Sequence, residues 1–288
     1  MARLSFPLLL TLLAIGCAPG PADTATSNPS PRTADGPFDS TDCGRITGRV
    51  EWLGPTPVVE PLTIIHNVGA LEALRERKQV PNPHAPRIDP EGGLADAVVF
   101  LRGIDPARAR PWNLPPVAIE MRDYRFAIRQ GETAGRYGFV QRGDAVTMVS
   151  RQPVAHGLHA DGAAFFTFPF LDPDQPRARK LEQPGIVELT SSVGYFWMRA
   201  YLFVDDHPYY TTTAADGSFA LADVPAGTYQ LVCWLPNWHT GGRDLDPESG
   251  IIIRQCFRPP VEVKQTITVE KGKGSSIAVT LQRELFAK

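Results

Sequence analysis

Residues 209–231 read YYTTTAADGSFALADVPAGTYQL, and this stretch decides the fold. Asp216-Gly217 is a hairpin-turn pair, because glycine adopts positive φ without a Cβ penalty. Phe219 and Leu221 follow at a spacing of two, which puts both on one face of a strand. Val224-Pro225-Ala226-Gly227 makes a second turn, and Tyr229 and Leu231 begin the next inward-facing set. Residues 265–269 and 276–281 supply closing strands.

Working outward, the same grammar recurs. Short apolar or β-branched runs at 46–52, 97–101, 145–149, 186–190 and 199–204 are separated by Gly, Pro and Asp. That pattern predicts an all-β chain built as β-sandwiches. Residues 70–77, ALEALRER, are the one helical candidate, expected as one or two turns within an insertion.

The ends and the composition bound the function. Arg3 and the apolar run 4–15 form a secretory signal, too short to span a bilayer as a finished helix. The run ends Leu13-Ala14-Ile15-Gly16-Cys17, which resembles a bacterial lipobox and implies that Cys17 becomes the lipid-bearing N-terminus after residues 1–16 are removed. Residues 17–42 are rich in Pro, Ser, Thr, Ala, Gly and Asp and bury too little to order themselves, so they read as a disordered tether. The expected location is the bacterial envelope, with membrane lipid as one partner and an envelope protein or glycan as the other. The net charge of −2 and the lack of a basic stripe argue against nucleic acid. Export makes disulfides possible, and Cys233 and Cys256 share a module, so they are the expected pair, with Cys43 left as a thiol.

Two family resemblances sit on these residues. Thr213, Asp216, Gly217, Phe219, Leu221, Val224, Pro225, Gly227 and Tyr229 resemble the carboxypeptidase regulatory-like domain, a transthyretin-like sandwich, over about 207–283. The resemblance implies a structural or interaction module. Residues 44–50, 93–101, 124–126, 143–146, 153–160 and 197–201 together resemble cupredoxin-like envelope proteins over about 44–206. That resemblance implies a copper site with His156 as its first imidazole and a Cys-x-x-His-x-x-Met run as its remainder. Here the run is Ser192-Val193-Gly194-Tyr195-Phe196-Trp197-Met198. Met198 matches, Ser192 stands in place of the thiolate, and Tyr195 stands in place of the second histidine. A hydroxyl is no substitute for a soft anionic sulfur. The fold is therefore expected without its copper, and no cofactor is expected. The alternative is a copper-binding or electron-transfer protein with an atypical site, in which a turn after His156 brings His159 to the same rim.

Other candidates carry weaker chemistry. Trp234, Trp238 and His239 flank a Pro-Asn turn and form a candidate partner-binding tip, or else lie in the core. The acids of 243–250 lack the glycine position and distal glutamate of a calcium loop and read as a solvated hairpin. His207 reads as a junction packing residue, and His66 and His84 carry no pattern. No Gly-x-Ser-x-Gly elbow, His-Glu-x-x-His pair or phosphate-cradling loop occurs in the sequence, so the chain is not expected to be an enzyme.

Overall fold

The structure is a computed structural model and describes residues 37–67, 75–245, 247–248 and 252–286. The expectations for the signal, for Cys17 and for the tether up to residue 36 lie outside the described residues. From residue 39 the chain is ordered: the Asp39 carboxylate accepts from the backbone N–H of Thr41 at 2.8 Å and starts a 3-10 turn at Ser40–Asp42. Residues 39–42, expected within the tether, are therefore ordered.

The regular secondary structure of the described residues is all strand apart from two single 3-10 turns. Seven strands build a first sandwich. One sheet has the order Ser218–Pro225, Cys43–Leu53, Gly274–Gln282, and the other Tyr210–Thr212, Val98–Arg102, Gly227–Leu235, Val261–Val269. Its core holds Ile46, Val50, Leu101, Phe219, Leu231 and Val279. Gly48 faces Phe219 across the strand pair, and a Cβ there would lie 2.5 Å from the ring, so the glycine leaves the space that the phenyl fills.

This arrangement moves the expected boundary at 206/207. The strands Cys43–Leu53 and Val98–Arg102 were assigned by sequence to the first module, yet they pair with strands of the second. The strands within 209–235 need these two strands to complete their sheets. A second sandwich, spanning 117–205, is inserted between Val98–Arg102 and Tyr210–Thr212. Its sheets run Tyr137–Gln141, Arg199–Asp205, Gly185–Ser191, His156–Gly162, Phe166–Phe170 and Arg177–Lys180, Ala145–Ser150, Val117–Arg122, Arg125–Gln130, Thr133–Gly135. Ile119, Ile128, Met148, Leu158, Leu189 and Leu202 fill its core.

Two strands, Val98–Arg102 and Gly227–Leu235, carry nearly unbroken apolar runs, and the reason is burial on both faces. Val99, Leu101, Leu231 and Cys233 point into the first core, while Val98, Phe100, Val232 and Trp234 point the other way. Those outward residues meet Tyr137, Tyr201 and Phe203 of the inserted sandwich. Trp234 makes edge contacts with Tyr201 at 4.9 Å and Phe203 at 5.2 Å. Such pairs contribute about 0.5–1.5 kcal/mol each beyond their buried area.

Two local expectations change. Asp216-Gly217 does turn, with Gly217 at φ +80°, and Asp216 accepts from the N–H of Ser218 at 2.9 Å. The strands it joins lie in opposite sheets, so it is an arch rather than a hairpin. Of the helical candidate, residues 70–74 lie outside the described residues, and the rest begins the strand Arg75–Val80, paired antiparallel with Leu62–Asn67. Cross-strand pairing overrides local helix propensity there.

Candidate functional site

The copper-site positions gather at one end of the inserted sandwich. His156 opens the strand His156–Gly162, and the N–H of Ser192 donates to the carbonyl of the next residue, Gly157, at 3.0 Å. Gly194, at φ +84°, turns the chain back, and Met198 N–H closes the loop on the carbonyl of Tyr195 at 2.8 Å. The Tyr195 ring then lies 5.4 Å from the imidazole of His156, and Tyr124 lies 5.1 Å from Tyr195. Met198 is buried in the core of the same sandwich.

The electrostatics of this cluster are those of a neutral site. His156 is buried, and burial lowers its pKa. Its Nε2 lies 3.1 Å from Oε1 of Gln152, an acceptor that also receives the N–H of Tyr124 at 3.0 Å. Nε2 therefore carries the proton, and the buried Nδ1 keeps a lone pair with no hydrogen-bond partner among the described residues. Burial, with Tyr124 adding to it, pushes the Tyr195 phenol up, so it does not ionise near neutrality. One imidazole, a thioether, a hydroxyl and a protonated phenol do not fit a blue-copper donor set. Among the described residues no three His, Cys, Asp or Glu side chains converge on a common point.

His159 does not join the cluster. It lies three residues along the strand and so on the other face, where its Nδ1 meets Oγ1 of Thr167 at 2.8 Å and its ring meets Phe165. Phe196 also leaves, packing with Leu62 and Ile64.

The expected disulfide is not formed. Cys233 points into the first core, where burial pushes its thiol up to about 12, while Cys256 lies on the separate ribbon Thr240–Leu245/Ile252–Phe257. Membership of one module says nothing about which way a strand residue points. The tryptophan tip is also corrected: Trp234 is fully buried in the seam between sandwiches, and Trp238 is stacked on Phe286 at 4.3 Å. His239 packs on Trp238, and both border an open groove of about 730 Å³ that also touches Asn82, Phe196, Arg243 and Gln255. The residues of 240–245 are exposed, as a solvated hairpin requires.

Beneath that groove lies a buried polar network that the sequence does not reveal. His84 donates from Nδ1 to the carbonyl of Asn237 at 2.8 Å, and its Nε2 accepts from the Tyr201 hydroxyl at 3.0 Å. Burial, then Arg199 and Arg136, hold His84 well below the ordinary histidine range. Arg199 pairs with Glu188, donates to the carbonyl of Gln255, and stacks 4.7 Å over Phe257. These residues are far apart in sequence, and only the Pro-Asn-Pro-His-Ala-Pro setting of His84 marks it as unusual.

No family model matches the chain, and no curated protein does. Solved structures do match in part. A reduced amicyanin variant is 17% identical over 31% of this chain and 82% of its own, with a TM-score of 0.26. A Cu(I) form of another amicyanin variant is 14% identical over 37% of this chain and 98% of its own, with a TM-score of 0.25. The similarity is a weak one of fold, confined to about a third of the chain.

Proposed function

We propose that this chain is a non-catalytic envelope lipoprotein, held to the membrane through Cys17, with a structural or binding role toward an envelope protein or glycan. The observation that carries the reading is the ring of Tyr195 set 5.4 Å from His156, beside a serine where copper chemistry needs a thiolate. A two-sandwich body with an aromatic seam suits a rigid binding platform. The alternative, copper handling, is favoured by the buried Nδ1 of His156, which has a lone pair to offer.

Copper titration separates the two. The purified chain is expected to stay colourless with Cu(II) and to release it to a weak chelator, since one imidazole and one thioether hold the ion poorly. Tight stoichiometric binding that His156→Ala abolishes would promote the alternative. For the anchor, Cys17→Ser is expected to shift the protein out of the membrane fraction; a wild-type chain found already soluble would refute it.

A further inference from the structure

The groove beside Trp238 has walls of an unusual kind. Four consecutive residues, Thr240 to Arg243, line one side, and the seven residues 57–63 line the other. Successive strand side chains point to opposite faces, so a consecutive run lines a groove with its backbone edge. Among the described residues the strand Thr240–Leu245 pairs on one side, with Ile252–Phe257, and that partner gives the groove Ile252 and Gln255. The groove therefore borders the unpaired edge. Leu62 and Thr63 open the strand Leu62–Asn67, and among the described residues its partner Arg75–Val80 adds nothing to the lining. Among the described residues, two strands thus present an unpaired edge to one channel.

The channel is also charged. Arg243 and Arg283 line it, exposed, and neither takes part in an ion pair among the described residues. Glu60 is the one carboxylate in the lining among the described residues. Gly241 and Gly242 leave the backbone open, and a Cβ at Gly242 would meet nothing within 4 Å. Val58, 88% exposed, adds an apolar contact.

We propose that this groove takes an extended acidic peptide from a partner protein, added as a strand to the Thr240–Leu245 edge with its carboxylates toward Arg243 and Arg283. Backbone hydrogen bonds supply affinity and the guanidiniums select the sign of charge. This deepens the binding reading above and rests on it.

The test uses the full chain and a fluorescent hexapeptide of alternating valine and glutamate, followed by anisotropy. Binding is expected, falling roughly tenfold with Arg243→Glu and lost when alternate peptide nitrogens are methylated, a change that leaves the protein untouched. Amides of 240–243 are expected to gain protection from hydrogen exchange on binding. A valine–lysine peptide that binds equally well, or binding without protection at 240–243, overturns the proposal. So does polygalacturonate competing while the peptide shows no protection, which would assign the groove to an acidic glycan. Failure of the peptide beside a colourless copper titration removes this groove assignment alone; a thiolate-free but tight copper site removes the wider reading and leaves the peptide result standing.

Discussion

A methyl group added at Gly157 would sit 2.0 Å from Oγ of Ser192 and 3.2 Å from the Val193 side chain, so Gly157→Ala must displace the Ser192 hydroxyl and crowd the 192–193 turn. Overpacking of this kind costs about 1–3 kcal/mol, read as a lower urea midpoint with an unchanged slope. Three buried histidines make a second prediction at this scale. Burial lowers the pKa of His84, His156 and His207, the last in spite of nearby Asp205. Below the ordinary histidine pKa the unfolded chain takes up protons that the folded chain refuses, so stability is full above about pH 6.5 and falls as pH drops from there toward the folded values. The slope is at most about 1.4 kcal/mol per pH unit for each such group. Urea midpoints measured from pH 7 to pH 5 check it, and a flat profile would show the histidines to be protonated in the folded protein. The sequence announced the His156, Ser192, Tyr195 and Met198 set because a spaced motif carried it. His84 stayed invisible because its partners Tyr201 and Asn237 are distant in sequence.

At the scale of elements, Arg199 fastens the ribbon Thr240–Leu245/Ile252–Phe257 to the inserted sandwich through the Gln255 carbonyl and the Phe257 ring. Its side chain is only 8% exposed, whereas Glu188 is 37% exposed and keeps access to water. Arg199→Met is therefore expected to cost about 1–3 kcal/mol and to make the ribbon the first site of limited proteolysis, with both sandwiches intact. Cleavage elsewhere first would show that the ribbon is held by other contacts. Alternation identified strands with one solvated face, such as Ser218–Pro225. The strands Val98–Arg102 and Gly227–Leu235 read as plain apolar runs, because the second covering layer comes from elsewhere in the chain. The Arg-Glu-Arg end of ALEALRER, residues 75–77, departs from expectation for the converse reason: these residues favour helix locally, and Leu62–Asn67 supplies the pairing that decides otherwise.

For the whole molecule, the aromatic seam joins two sandwiches that otherwise have separate cores. Trp234→Ala is expected to cost about 3–5 kcal/mol, with both halves losing stability together in calorimetry. Two separated transitions in the variant would mean that the seam carries the coupling; an unchanged single transition would mean it does not. Residue patterns showed two sandwiches, yet not that one interrupts the other, since both motifs are collinear along the chain and only pairing shows that Cys43–Leu53 belongs with Gly274–Gln282. That parallel pairing of the earliest and latest strands also sets a clock. As the chain emerges from a ribosome or a translocation pore, the inserted sandwich has all its strands by residue 205. The strand Cys43–Leu53 must wait, half of its hydrogen bonds unmade, until Gly274–Gln282 arrives. A nascent chain stalled before residue 274 would carry a finished inner body and an open outer one, a sticky intermediate of the kind that chaperones hold.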